Sequence, residues 1–116
     1  MKVQQAVAQM HEQGLLDERE IYAYAQVDSA IGGALGAMMN IVLITVNGNR
    51  TSVFKGNIDN TWGQQLISAD KSELSDLKIK NVFFGMQKKF SFTLNGQRFC
   101  YVLTGASSKK LIEFLK

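Results

Sequence analysis

The sequence predicts a mainly β (α+β) fold: an antiparallel barrel or roll of six or seven short strands, with an N-terminal helix and a C-terminal capping helix. Three observations favour this class. A hairpin signal lies between residues 90 and 103, several short alternating or β-branched runs precede it, and apolar residues recur at helical spacing near both ends. The helices are expected to cover apolar faces of the strands.

The hairpin signal is the dipeptide Asn95-Gly96, which separates two alternating runs. Asn-Gly readily supplies the positive φ angles of a type I′ turn, so a loop of two residues is predicted. With that loop, one face of the ribbon carries Leu94, Gln97 and four aromatic residues, which are Phe90, Phe92, Phe99 and Tyr101. The other face carries Lys89, Ser91, Thr93, Arg98, Cys100 and Val102. The aromatic face is therefore expected to be buried, and the second face is mostly polar.

A short amphipathic helix is predicted within residues 1–14. Its apolar residues Val3, Ala6, Val7 and Met10 are spaced for one helix face, and Gly14 supplies a stop. Residues 20–27 are ambiguous. Their apolar side chains alternate as in a strand, but the preceding Asp-Glu-Arg-Glu run resembles a helix cap and their alanines favour a helix.

The runs at 41–46, 51–55, 62–68 and 77–82 are predicted strands. The first is almost continuously apolar and β-branched, which is typical of a strand buried on both faces. A loop of two residues and a loop of four are both plausible at the turn that follows it. A helix at about 107–116 closes the chain, and its broad apolar face can cover the aromatic side of the hairpin; the face consists of Leu111, Ile112, Phe114 and Leu115.

Length and composition indicate one globular domain, assigned to residues 15–116 after the N-terminal helix. The chain has 116 residues, of which 46% are hydrophobic and 20% are charged. No apolar run approaches the roughly 20 residues that span a bilayer, and the first residues lack the apolar segment of a secretion signal. Cys100 is the single cysteine, so no internal disulfide is expected and a cytoplasmic location is predicted.

Charge is unevenly distributed along the chain. The net charge is +3, with −3 in residues 1–70 and +6 in residues 71–116. Five basic residues form a candidate basic face: Lys78, Lys80, Lys88, Lys89 and Arg98. A solvated strand face that keeps the protein soluble is the plainer interpretation, and a site for an anionic partner is the alternative.

The segment 30–39 is small, apolar and rich in glycine. It is too short to span a membrane, and it lacks the ending of a phosphate-binding loop. A flexible loop or a buried turn is one interpretation. The other is an exposed apolar contact loop used for self-association or membrane contact, whose candidate residues are Ile31, Leu35, Met38 and Met39.

The side chains that enzymes and metal sites require are sparse. The chain has one histidine, His11, and one cysteine, and no paired carboxylates accompany them. No nucleophile, acid–base pair or ligand set can be assembled from these residues. We therefore expect a protein that is not an enzyme, with no cofactor, no metal and no small-molecule substrate.

Three stretches resemble the small pleckstrin-homology-like (PH-like) domains found in many bacterial proteins. Glu20-Ile21-Tyr22-Ala23 resembles their opening strand, which often begins with a glutamate. Ile41–Thr45, together with Arg50, resembles the second strand and the turn after it. Leu77–Phe99 resembles the last three strands before the helix. The resemblance covers residues 20–116, implies a PH-like fold in a bacterial protein, and favours a strand at 20–27.

These observations predict a non-catalytic protein-interaction or self-assembly module. Its partner would be another protein or a second copy of the chain, in a homo-oligomer. The alternative is a module that binds a polyanion, either RNA or an acidic membrane surface, through the basic strand face. Phe83, Phe84 or Tyr101 could supply stacking if exposed. The predicted register of the hairpin weakens this alternative, because its four aromatic residues lie on the face away from Lys89 and Arg98.

Overall fold

A computed structural model describes residues 2–27, 41–57, 59–82, 87–104 and 108–116. The described elements are the helix α1 (Val3–Glu12), the strands β1 (Ile21–Val27), β2 (Ile41–Asn47), β3 (Arg50–Gly56), β4 (Trp62–Asp70), β5 (Ser75–Val82), β6 (Gln87–Leu94) and β7 (Gln97–Thr104), and the helix α2 (Ser108–Leu115). One turn of 3-10 helix, Lys71–Glu73, joins β4 to β5.

All seven strands belong to one antiparallel sheet with the order β4-β3-β2-β1-β7-β6-β5. The predicted mainly β, α+β class with a helix at each end is therefore confirmed. In the part of the chain that the structure describes, the two end strands β4 and β5 do not pair with each other. The sheet is thus an open roll and not a closed barrel.

The strand β1 resolves the ambiguity at residues 20–27, because it lies in the middle of the sheet. It pairs with β2 over six positions, from Ile21 opposite Val46 to Gln26 opposite Ile41. On its other side it pairs with β7, with Ala25 opposite Leu103 and Val27 opposite Tyr101 among the described residues. Alanine has no strong preference for strands, so pairing on both sides outweighs local propensity here.

The main core lies on the face of the sheet that α2 covers, which we call the inner face. Alternate residues of β1, β2, β6 and β7 point into it, among them Ala23, Ile44, Phe90 and Leu103. Leu111, Ile112 and Leu115 of α2 pack onto the same cluster, together with the aromatic rings of the hairpin. The predicted burial of the aromatic face beneath the closing helix is confirmed.

A second, smaller core lies on the opposite face, which we call the outer face. Ala6 and Met10 of α1 are fully buried there against Leu43 and Phe54. Tyr22, Tyr24 and Trp62 border this cluster. The strand β2 thus has apolar neighbours on both faces, as its continuous apolar run predicts. The helix α1 covers the β1–β3 side of the outer face.

The β2–β3 turn and the β6–β7 turn contain two residues each. Asn47 pairs with Arg50, which decides between the two loop lengths that the sequence leaves open. At the second turn Leu94 pairs with Gln97, and the φ angles of Asn95 and Gly96 are 53° and 80°. Positive φ at both central positions is the type I′ signature, so the predicted register of the aromatic hairpin is confirmed.

The segment between α1 and β1 is fastened to the β2–β3 turn by a carboxylate. Asp17 accepts hydrogen bonds from the backbone N–H of Gly48 at 2.8 Å and of Arg19 at 2.9 Å. The Arg19 guanidinium bonds both carboxylate oxygens and also donates to the Gly48 carbonyl at 2.7 Å. The hydrogen bond from Arg19, helped by that from Gly48, holds the pKa of Asp17 well below its usual range.

Replacing Asp17 by Asn is expected to lower the free energy of unfolding at neutral pH by about 1–2 kcal/mol, because charge-assisted hydrogen bonds are lost. The folded-state pKa of Asp17 is depressed, so its contribution is fully present above the unfolded pKa of about 4 and disappears as the pH falls through the folded value. Urea unfolding at neutral pH and near pH 2 measures the difference. Glu12→Gln, which removes an exposed charge at the end of α1, is the control, and an unchanged gap between wild type and Asp17→Asn at both pH values would contradict the prediction.

One buried hydroxyl group, that of Thr51, makes no hydrogen bond with the described residues. Thr51 is 5% exposed on the inner face of β3, and among the described residues its Oγ1 has no hydrogen-bond partner. A buried hydroxyl without a partner has lost its bonds to water with no replacement.

We expect Thr51→Val to raise the free energy of unfolding by about 1 kcal/mol, because the methyl group needs no partner. Thr93→Val is the matched control. The Thr93 hydroxyl accepts a hydrogen bond from Arg98 at 3.2 Å, so its removal is expected to be neutral or destabilising. Thermal and urea unfolding measure both changes, and a less stable Thr51→Val variant would show that the hydroxyl stabilises the native state.

Candidate functional site

Four of the five residues of the predicted basic face lie together on the outer face of β5, β6 and β7. In the strand register Lys80 is directly opposite Lys89, Lys78 is opposite Ser91, and Thr93 is opposite Arg98. Lys78 and Lys80 are exposed. Two like charges directly opposite each other in a sheet destabilise it. The lysine cluster, defined as Lys78, Lys80 and Lys89, therefore concentrates positive charge on this part of the outer face.

Arg98 belongs to the same face, but its guanidinium is already engaged. It donates to the backbone carbonyl of Asp76 at 2.7 Å and to the hydroxyls of Ser91 at 2.7 Å and Thr93 at 3.2 Å. The Asp76 carboxylate lies 3.3 Å away. Asp76 has a φ angle of 50° and stands where the pairing of β5 with β6 shifts register. Arg98 thus fastens the irregular start of β5 to the hairpin.

Lys88 lies on the other face of the sheet. It pairs with Leu103, a core residue, and its ammonium donates to the side-chain oxygen of Asn81. The strand alternation explains the difference, because neighbouring residues of β6 point to opposite faces and Lys89 points outward. The structure therefore brings Lys78, Lys80, Lys89 and Arg98 together and separates Lys88 from them.

An open groove runs along the inner side of β5, between that strand and α2. Leu77 and Ile79 of β5 form one wall and Ile112 and Leu115 of α2 form the other, enclosing about 480 Å³. Polar side chains complete its lining; they are Asn81, Lys88 and Lys116. Leu77 and Ile79 are only half-buried. We call this the edge groove, because its outer wall is an end strand of the sheet.

The end strand β5 offers backbone groups beside the edge groove. Within the described residues it pairs with β6 alone, in an unbroken register from Lys78 to Val82. An end strand has N–H and C=O groups that point away from the sheet at every second residue. The other end strand, β4, is less regular, since its pairing with β3 shifts register twice between Val53 and Gly56. Of the two edges, β5 thus has the longer unbroken register.

A second cleft of about 550 Å³ lies against another side of α2. Its lining residues are Glu18, Arg19, Ile21, Lys110, Glu113 and Phe114. The Arg19 guanidinium stacks 5.6 Å from the centre of the Phe114 ring, and the Lys71 ammonium lies 5.1 Å from it. Lys110 donates to the Arg19 carbonyl at 3.0 Å. Arg19, Lys71 and Lys110 thus make contacts within the fold at this cleft.

The buried aromatic rings of the hairpin do not join the lysine cluster. Tyr101 is 4% exposed in the inner core, where burial raises the pKa of its hydroxyl to about 12. The apolar contact loop predicted at Ile31, Leu35, Met38 and Met39 lies outside the described residues, and so do Phe83 and Phe84.

The titratable side chains of the described ranges form no recognisable reaction centre. His11 is exposed, and its Nε2 lies 2.7 Å from the Glu20 carboxylate. Within those ranges no three His, Cys, Asp or Glu side chains are grouped so that they could hold a metal ion. The Tyr24 hydroxyl donates to the Asn60 carbonyl at 2.6 Å, and its pKa is raised to about 12, chiefly by burial.

Comparison with known proteins yields no relative: no protein-family model matches the chain, and no curated protein matches it at a significant level. Among the described helices, none has the length and apolar character needed to cross a membrane.

The edge groove is the feature that sequence reasoning missed. Its walls come from residues 77–79 and 112–115, which are far apart in the chain. The alternation of Leu77 and Ile79 with Lys78 and Lys80 was the available signal, since it predicts a strand with one apolar and one basic face. That signal does not show that the strand ends the sheet.

Proposed function

We propose that this protein is a non-catalytic interaction module that binds an extended segment of another protein. The segment adds to the sheet as a further strand along β5, and every second side chain enters the edge groove. One observation carries the proposal: an end strand in regular register lies directly beside a half-open apolar groove lined by Leu77, Ile79, Ile112 and Leu115. Main-chain hydrogen bonds would supply affinity, and the groove would supply selectivity.

One extended segment can bind to the edge groove and to the backbone of β5 at the same time. An added strand places alternate side chains on one face, about 6.5–7 Å apart. Those of its inner face would lie next to Leu77 and Ile79 and beneath α2, where apolar surface is still exposed to water. Burying that surface stabilises a complex by about 25 cal/mol per Å².

We also propose that the chain has a PH-like fold, as its resemblance to PH-like domains implies. An antiparallel roll of seven strands whose closing helix packs on the inner face is what that resemblance implies. We also infer that the protein acts in the cytoplasm of a bacterium, on the strength of the resemblance and of its single cysteine. Fold alone identifies no ligand, so the function is argued from the edge groove.

We expect Leu77→Ser to weaken peptide binding about tenfold, since it removes about 1.5 kcal/mol of apolar contact from the edge groove. Leu66→Ser is the matched control, because Leu66 is a 53% exposed leucine on β4 at the opposite edge. Peptides selected from a random display library would be titrated into both variants and the wild type. Amide chemical shifts would map the binding site, and circular dichroism would check that each variant folds.

The proposal fails if selected peptides shift resonances away from β5 and α2, or if Leu77→Ser and Leu66→Ser bind alike. Shifts of β5 resonances that depend on protein concentration alone would make a second copy of the chain the occupant. Light scattering on the same samples measures that outcome directly.

A second candidate function is binding of a polyanion by the lysine cluster. The observation that favours it is the placement of Lys80 directly opposite Lys89, with Lys78 on the same face. Phosphate groups would relieve the repulsion between these ammonium groups. The engagement of Arg98 and the position of Lys88 make the cluster smaller than the sequence predicts.

If a polyanion binds there, the double variant Lys78→Glu/Lys80→Glu should elute from heparin at lower salt than the wild type. The slope of log affinity against log salt should fall by about one for each lysine that contacts a phosphate. Lys55→Glu/Lys109→Glu removes the same charge from exposed positions elsewhere and is the control. Equal elution of the two double variants would exclude a specific role for the cluster.

A further inference from the structure

The two faces of β5 set different requirements on a strand that pairs with it. Side chains of an added strand lie beside those of its neighbour on the same face of the sheet. On the inner face the neighbours are Leu77 and Ile79, and on the outer face they are Lys78 and Lys80. A bound segment would therefore meet apolar and cationic surroundings in alternation.

Among the described residues, no carboxylate of β5, β6 or β7 pairs with Lys78 or Lys80. Asp76 is the single carboxylate in the described parts of these strands, and it engages Arg98. The helix α1 packs on Leu43 and Phe54 of β2 and β3, away from this part of the sheet. Charge complementarity thus calls for acidic side chains from outside.

We propose that the partner segment of the edge groove alternates apolar and acidic residues over about five positions, the length of the regular part of β5. This inference rests on the proposed function and names the chemistry of its ligand. Apolar side chains fill the edge groove, and Asp or Glu side chains lie beside Lys78 and Lys80. Opposite charges beside each other on one face of a sheet attract, so the two pairs together favour an acidic over a neutral segment by about tenfold.

The same lysines also explain how an exposed edge avoids unselective pairing. Charged residues on an end strand disfavour the approach of other strands, above all of a second β5 edge with its own lysines. Repulsion against wrong partners is one of the two means by which an interface becomes specific. The same lysines attract an acidic segment, because its carboxylates carry the opposite charge.

The test uses four fluorescent peptides. Three have valine at every second position with Glu, Ser or Lys between, and the fourth is a scrambled Val/Glu peptide of the same composition. Anisotropy titrations with the 116-residue chain measure affinity at low and at moderate salt. We expect the alternating Val/Glu peptide to bind about tenfold more tightly than the Val/Ser peptide, and the Val/Lys peptide to bind most weakly. Added salt should narrow the difference.

Charge reversal supplies the decisive comparison. In Lys78→Glu/Lys80→Glu the ranking should invert, so that the Val/Lys peptide binds more tightly than the Val/Glu peptide. Lys55→Glu/Lys109→Glu, with the same net charge, should keep the wild-type ranking.

Equal binding of the Val/Glu and Val/Ser peptides, both weakened by Leu77→Ser, would overturn the acidic partner and leave strand addition intact. Equal binding of the alternating and scrambled Val/Glu peptides would show charge attraction without a strand and overturn both. No binding of any peptide would likewise overturn both.

Discussion

The roll depends on the junction between β1 and β7 in the middle of the sheet. Within the described residues, the pairs from Ala25–Leu103 to Val27–Tyr101 join the strands β4-β3-β2-β1 to the strands β7-β6-β5. The helix α2 spans this junction, since Leu111, Ile112 and Leu115 share one core with residues from both sides. Small residues of β1, such as Ala23, line the core face near that helix.

Asymmetric cover of the outer face decides where surface is left for function. The helix α1 buries the outer side chains of β2 and β3, including Leu43 and Phe54, in a second core. The outer side of β5, β6 and β7 receives no such cover from the described helices, and its side chains are mostly polar or cationic. The end of the sheet that contains β2 and β3 is thus packed in a core on both faces. The other end keeps a strand edge, a groove and the lysine cluster within reach of solvent.

Local signals in the sequence predicted the elements well, and long-range placement is what they lacked. The Asn95-Gly96 turn and the alternation around it predict the hairpin and its register, because both depend on neighbouring residues. The position of β1 between β2 and β7 depends on contacts between residues far apart in sequence. The same holds for the edge groove, and for Lys88, whose direction follows from the strand register. The basic face was therefore predicted with one residue too many, and the groove was not predicted.

The contacts of Arg98 also bear on the speed of binding. By bonding the Asp76 carbonyl and the Ser91 and Thr93 hydroxyls, Arg98 keeps the start of the end strand ordered before any ligand arrives. A segment that adds to this edge binds a strand that is already ordered. The incoming segment is therefore the part that must become ordered on binding. Its association rate would then follow the fraction of time that the free segment is already extended. Rigid, pre-extended segments would be captured faster than flexible ones of equal final affinity.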